Sequence, residues 1–381
     1  MHSQEQRTLL IATGLYPPEI GGPATYTEML EEMLPGYGVQ VVTVPFGTVR
    51  HLPKLVRHAV FAWKLLKEAK RADAIYALDS ISVGLPAWVV SVLARRPFLV
   101  RLGGDYAWEQ GAQRFGVAQN LDEYTQNPSG VPLPVKILAS IQTFVVKRAR
   151  KVVAPSAYLK KVIGSWGVQE DKIVVIYSAL QPLSVEASRN ELREQLSYEG
   201  KVIVSVGRLV PWKGFVELID AFASLKKEMP ECTLVIIGDG PLQVSLQEKV
   251  AALGLHDSVR LVGRMGKDAL GAAIKASDVF VLNTAYEGLS HQLLEVMDLG
   301  VPIVTTHVGG NIELIKDGVT GFMVAPNDVT ALGEAVARLL QSEELRTRMV
   351  QHAKVRAKDF SREKVVAEFV SLLKEGVLEA V

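Results

Sequence analysis

Short apolar runs alternate with amphipathic stretches of helical period along this whole chain, and that alternation constrains its fold more than any other feature. Leu9–Thr13 reads as a strand ending at Gly14, and helical text follows over 24–34. Strands are expected at 39–44, 74–78 and 98–101, with a helix over 54–70. After an irregular stretch, 103–133, a helix covers 135–150 and strands lie near 152–154 and 173–177. A second series opens with Val202–Val206 and continues at 233–237, 258–262, 279–282, 302–305 and 321–324. Such alternation predicts parallel sheets covered by helices on both faces. The chain has 381 residues, and single cores stop growing near roughly 250–300. Two doubly wound α/β domains are therefore expected, facing each other across a cleft walled by strand C-terminal ends. The expected domains are 1–180 and 200–360. Residues 181–199, with Pro182, Ser184, Ser188, Asn190 and Ser197, read as the linker. Val365, Val366, Phe369, Leu372 and Leu373 make 361–381 an amphipathic helix. It either crosses back to the first domain or ends the second.

Charge and cysteine content narrow the function. The formal net charge is +1, so no global basicity points to nucleic acid. Residues 1–180 hold 20 Lys/Arg against 14 Asp/Glu, and the remainder 22 against 27. Two surfaces with different partners are expected. Cys232, the single cysteine, excludes an internal disulfide and a cysteine-rich metal site, and its apolar neighbours predict a buried strand thiol. No basic-then-apolar leader opens the sequence, and the longest apolar run, 81–94, is short of the roughly 20 residues of a membrane span. A cytoplasmic protein is expected, peripheral on the inner membrane face if residues 50–71 touch lipid. That segment has seven Lys/Arg and one acid, Glu68, beside a stripe of Leu55, Val56, Ala59, Val60, Trp63 and Leu66. A basic amphipathic helix of this kind lies on anionic lipid, or it faces a core and solvates its basic back.

The chemistry-bearing motifs sit at predicted strand ends. No Walker loop, His-Glu-x-x-His, Gly-x-Ser-x-Gly or Gly-x-Gly-x-x-Gly after the first strand is present, and no two aspartates stand two apart as in an Asp-x-Asp metal clamp. Gly207-Arg208 and Lys213-Gly214 follow the strand 202–206; Arg offers a planar fork of donors and Lys a compact charge, which suits a phosphorylated ligand. Glu287, Gly288, Leu289, Ser290 and Glu295 follow the strand 279–282, with a helix beginning near Leu289 or Ser290. Free N–H groups at such a helix start bind anions, and a carboxylate at position 295 suits two sugar hydroxyls. Gly238-Asp-Gly240-Pro241, Gly21-Gly22-Pro23 and Gly309-Gly310-Asn311 allow close backbone approach.

In this order, the motifs Gly-Arg-x4-Lys-Gly, Gly-x-Gly-Pro, Glu-x7-Glu and Gly-Gly resemble the retaining nucleotide-sugar glycosyltransferases of family 4 (glycosyl transferases group 1). Gly21-Gly22, Ala154-Pro-Ser156 and Phe360-Ser361 extend the resemblance over nearly the whole chain. It implies the GT-B fold, two Rossmann-like domains. It also implies that Arg208 and Lys213 hold the donor diphosphate, Glu295 binds the ribose hydroxyls, and Glu287 contacts the transferred sugar. Amides at Gly288, Leu289 and Ser290 would reach phosphate or sugar, Gly207, Gly238 and Gly240 would line the donor site, and Gly21 and Gly22 would close on it from the other domain. Many relatives carry a His near a first-domain strand end, whereas Arg101–Glu109 has none. Asp105 is expected to make the polar contact in the acceptor pocket instead; Trp108 fills core, and Tyr106 either stacks on sugar or packs inside.

The expected reaction moves a sugar from a UDP- or GDP-sugar to a hydroxyl of a carbohydrate or lipid-linked acceptor in glycan, glycolipid or surface-polysaccharide synthesis. No metal or other cofactor is expected, because Arg208, Lys213 and the helix start supply the positive charge. The competing functions are a sugar-nucleotide epimerase of the same fold and a non-catalytic nucleotide-sugar-binding protein.

Overall fold

The computed structural model describes residues 6–19 and 21–378. Ile20 of the glycine loop, residues 379–381 of the expected last helix and the side chain of Leu55 lie outside the described residues. Among these residues the first sheet contains β1 (Arg7–Thr13), β2 (Val39–Pro45), β3 (Ala74–Ala77), β4 (Phe98–Arg101), β5 (Lys151–Ala154) and β6 (Ile173–Val175). Their order is β2-β1-β3-β4-β5-β6. The second contains β7 (Lys201–Val206), β8 (Cys232–Ile237), β9 (Val259–Leu261), β10 (Val279–Leu282), β11 (Ile303–Thr306) and β12 (Phe322–Val324). Its order is β12-β11-β10-β7-β8-β9. The ladders are parallel. Strands covered on both faces read as continuous apolar runs, as in β10, whose four residues are all buried. Cys232 is buried in β8, and burial pushes its thiol up to about 11.

The chain divides into two compact units. One runs to Ala179 and resumes at Ser361; the other is Leu180–Phe360. Of the two arrangements open to the last helix, Arg362–Leu373 takes the crossing back. Val366, Phe369 and Leu373 join the first unit's core with Leu9, Ile11 and Tyr76, and the Phe369 ring stacks on Tyr76 at 4.9 Å. Arg362 pairs with Glu32 at its start.

Two stretches expected to be irregular carry helices. Within 103–133 lie Tyr106–Arg114, capped by Asp105, and Leu121–Gln126, capped by a reciprocal Asn120–Glu123 box. Within 181–199 lies Arg189–Gln195, with a Ser188–Glu191 box. Such caps satisfy the free N–H groups that would make a short helix costly. The 189–195 helix is fastened to the second sheet by buried Asp278. That carboxylate accepts from Arg189 at 2.7 Å, Arg193 at 3.1 Å and the Val202 amide at 2.8 Å. Asp278→Ala removes the carboxylate that the three donors share, although Arg189 keeps the Ser277 carbonyl and Arg193 those of Ala276 and Gly200; losing hydrogen bonds to a charged group costs about 1.5–3 kcal/mol. Denaturant unfolding of the second unit is expected to show a loss of that size; a loss below about 1 kcal/mol, the worth of an exposed pair, would refute the fastening role.

The helix Lys54–Ala69 does not bury the stripe expected of it. Phe61, Leu65 and Ala69 face inward, whereas Val56, Ala59 and Trp63 are exposed. The helix has two apolar stripes, and the one carrying Phe61 and Leu65 is taken by the fold.

Candidate functional site

In an open parallel sheet, ligands bind beyond the strand C-termini where the strand order reverses, because the loops there diverge. In the second unit the reversal lies between β7 and β10. The loops leaving those two strands are 207–214 and 283–290, which hold the two strongest sequence motifs. The structure brings them together: Lys213 Nζ is ion-paired with Glu287 Oε1, and the two side chains are only 16% and 14% exposed. Backbone ties hold the same loops. Ala285 N–H donates to the Trp212 carbonyl at 2.7 Å, Thr284 Oγ1 to the same carbonyl at 3.0 Å, and Asn283 Nδ2 to the Gly214 carbonyl at 2.8 Å. Arg208 is exposed, and among the described residues its guanidinium has no hydrogen bond or ion pair.

The glycine motifs explain how four loops fit around this point. A Cβ at Gly238 would lie 1.9 Å from the Gly207 carbonyl oxygen, and one at Gly240 would lie 2.5 Å from that of Leu209. Leu209 N–H donates to the Asp239 carbonyl at 2.8 Å across the same contact. On the other side, a Cβ at Gly309 or Gly310 would lie 2.1 or 2.2 Å from the carbonyl oxygens of Glu287 or Gly288. Gly310 N–H donates to the Glu287 carbonyl at 2.9 Å. Glycine stands at these places because one backbone lies directly on another, which sets the positions of Arg208 and Glu287.

The helix after β10 starts at His291, later than expected. Ser290 is its N-cap, and its Oγ accepts from the Leu293 amide at 3.3 Å. Gly288, Leu289 and Ser290 are buried just ahead of it. The first turn of a helix leaves N–H groups without an intrahelical acceptor. Glu295, one turn further on, is half-buried and accepts no hydrogen bond among the described residues. Burial pushes its carboxyl up to about 7, against the opposing pull of Lys267. Sequence reasoning missed Asn311 as a spacer here. Its Nδ2 donates to Thr305 Oγ1 at 3.1 Å, and its buried Oδ1 has no partner among the described residues.

The first unit has its own reversal, between β1 and β3. Gly21 and Gly22 stand after β1 and open the helix Gly22–Met33. Their loop is tied down by the Arg50–Glu19 ion pair, by Arg50 Nη2 on the Gly14 carbonyl at 2.7 Å, and by Tyr16 on Glu31 at 3.0 Å. After β3 comes Asp79, which no sequence signal marked. Its carboxylate accepts from the Ile81 and Val83 amides at 2.8 and 3.1 Å, and desolvation raises its pKa. Asp105 is fully buried. It accepts from the Trp108 amide and from Gln142 Nε2, each at 3.0 Å, and its carboxyl pKa is also raised by desolvation. Trp108 is buried as expected, with its indole N–H on the Gln119 carbonyl at 2.9 Å. Among the described residues no three His, Cys, Asp or Glu side chains are grouped to hold a metal ion.

Two parallel six-stranded α/β units of this kind define a GT-B-like architecture. Residues 7–179 match the glycosyl transferase 4-like domain, and residues 188–356 match glycosyl transferases group 1. The chain belongs to this group 1, family 4 glycosyltransferase family. Among curated relatives, the alpha-D-kanosaminyltransferase of Streptomyces kanamyceticus is 37% identical over 169 residues, 44% of this chain and 44% of that protein. The mannosylfructose-phosphate synthase of Agrobacterium fabrum is 30% identical over 199 residues, 50% of this chain and 44% of that protein. The alignments thus span about half the length of these relatives. Among solved structures, Anabaena HepE in complex with UDP-glucose superposes with a TM-score of 0.76 at 20% identity, covering 96% of this chain and 99% of that one. Sucrose-phosphate synthase from Thermosynechococcus elongatus gives 0.78 at 19%, covering 97% and 98%. At those identities the likeness is one of fold.

Proposed function

We propose that this protein is a retaining glycosyltransferase that moves a sugar from a nucleoside diphosphate to a hydroxyl of a carbohydrate or lipid-linked acceptor. The carrying observation is the Lys213–Glu287 pair at the β7/β10 crevice, on the same loop as Arg208, whose guanidinium has no partner among the described residues. Breaking the anomeric carbon–oxygen bond leaves its electron pair on the diphosphate. Arg208, Lys213 and the amides ahead of His291 are fixed positive groups that stabilise that charge, with no divalent ion in the proposed route. Glu287 stabilises the positive charge that develops on the sugar. The acceptor oxygen attacks from the face the diphosphate leaves, and its proton passes to the departing phosphate oxygen. Glu295 accepts the ribose hydroxyls. In the first unit, Gly21 and Gly22 leave room for a ligand against their backbone, and Asp105 acts as a positioning residue that caps and holds the 106–114 helix. One relative is named as a kanosaminyltransferase, and HepE was solved with UDP-glucose; UDP- and GDP-sugars are the donors to try first.

Thermal-shift screening against nucleotide sugars should identify the donor, since a ligand at a hundred times its Kd stabilises by about 2.7 kcal/mol. With that donor and a sugar acceptor, NMR of the product is expected to show the donor's anomeric configuration and a rate unchanged by EDTA. An inverted product, or loss of turnover in EDTA, would overturn the route.

A further inference from the structure

Three consecutive crossovers of the first unit, β2 to β3, β3 to β4 and β4 to β5, step across its sheet in one direction. Right-handed connections then place their helices on one face of that sheet. The longest helix of each is Lys54–Ala69, Gly84–Ala94 and Leu133–Arg148, the third crossover also carrying the shorter helices 106–114 and 121–126. Each buries one stripe and turns large apolar side chains outward. Trp63 is 55% exposed, Leu93 66% and Leu133 69%, with Val92, Ile137 and Phe144 exposed between them. The first two helices pack side by side, and an edge-to-face contact of Trp88 with Phe144, 4.9 Å between ring centroids, joins the second to the third. Exposed apolar residues grouped in this way mark an interaction surface.

The charges on these three helices and on the residues just after them are one-sided. Segments 54–71, 84–96 and 133–150 contain twelve Lys/Arg and a single acid, Glu68. Cations and rings are interleaved: Lys67 Nζ lies 3.5 Å from the Trp63 ring centroid, and the Arg148 guanidinium 3.5 Å from that of Phe144.

We infer that this three-helix face docks the first unit on an anionic lipid bilayer, its apolar side chains entering the headgroup boundary and its Lys and Arg meeting lipid phosphates. Long basic side chains suit that boundary because their stems lie along apolar surface while their charges stay wet. Trp is favoured at the same depth. Like charge opposes a second copy of the same face as occupant. No described helix is long and apolar enough to cross a membrane, so the contact is a peripheral one that ionic strength reverses.

Sedimentation of the full chain with vesicles tests the inference. The protein is expected to pellet with phosphatidylcholine–phosphatidylglycerol vesicles, to stay in solution with phosphatidylcholine alone, and to be released by salt. Lys67→Ala, Lys70→Ala and Arg95→Ala should each weaken partitioning about fivefold, and together about a hundredfold. Leu93→Ser should weaken it while leaving the salt dependence unchanged. Unchanged melting temperatures for these surface variants ensure that the loss is one of docking. Equal pelleting with neutral vesicles would overturn the inference, as would binding indifferent to all four substitutions. Two further results would assign the face to a different occupant and overturn it: a lipid-free dimer dissociated by Leu93→Ser, or heparin binding as tight as vesicle binding and unaffected by Leu93→Ser.

Discussion

Lys213→Ala lowers turnover about 10²–10³-fold, the expected loss when one preorganised donor is removed from developing charge. That corresponds to about 3–4 kcal/mol of barrier. Arg208→Ala should lose turnover to a similar degree, and the two variants separate on stability. Lys213 is ion-paired with Glu287 and both side chains are largely buried, so removing the lysine leaves a carboxylate without its counter-charge and lowers the melting temperature. Arg208 is exposed and has no side-chain partner among the described residues, so its loss leaves the melting temperature where it was. Initial rates and thermal scans on the two single variants measure both effects. Retention of turnover within about tenfold by Lys213→Ala would mean that the diphosphate leaves elsewhere.

The pair also sets a requirement on donor binding. Lys213 must exchange Glu287 for phosphate, or share itself between them. Glu287→Gln removes the competing charge while keeping the shape, and should tighten binding of the nucleoside diphosphate while slowing transfer. The double variant Lys213→Ala/Glu287→Gln should lose less than the product of the single losses, because residues in contact are not additive.

The frame of both units could be read from apolar runs, because parallel strands buried on both faces carry their own signature. The runs at 98–101 and 279–282 coincide with β4 and β10. The short helices were harder, since 121–126 and 189–195 depend on caps rather than on a long apolar stripe. The Asn120-x-x-Glu123 and Ser188-x-x-Glu191 boxes were nevertheless signals in plain text. What single positions touch was not readable. Gly238 read as lining the donor site and Gly310 only as a place of close backbone approach; which backbones come close there, those at 207 and 288, could not be read. Those neighbours are distant in sequence, so no local pattern announces them. The helix 54–69 shows the same limit: periodicity picked out the stripe with Val56, Ala59 and Trp63 and passed over the one with Phe61 and Leu65 that the fold covers.

Nucleoside affinity should rise with pH through about 7 and level off above it, and Glu295 is the reason. Its carboxyl is pushed up to about 7 by burial, outweighing the attraction of Lys267. Ribose hydroxyls donate to the ionised form, so at pH 6 the protein must first lose a proton and affinity falls roughly tenfold below its plateau. Folding stability runs the opposite way. A carboxyl with a raised folded pKa contributes fully below its unfolded value of 4.5, and that contribution is lost as pH rises through about 7. Relative to Glu295→Gln, the free protein should therefore lose roughly 3 kcal/mol, as an upper figure, between those limits. Titration with the bare nucleoside, uridine or guanosine, avoids the ionisation of the phosphates themselves. Glu295→Gln should flatten both profiles, and Glu295→Ala should weaken nucleoside and nucleotide by the same factor, since the phosphates are held by other residues. A pH-independent affinity in the unmodified protein would place the ribose away from Glu295 and leave its raised pKa a matter of burial alone.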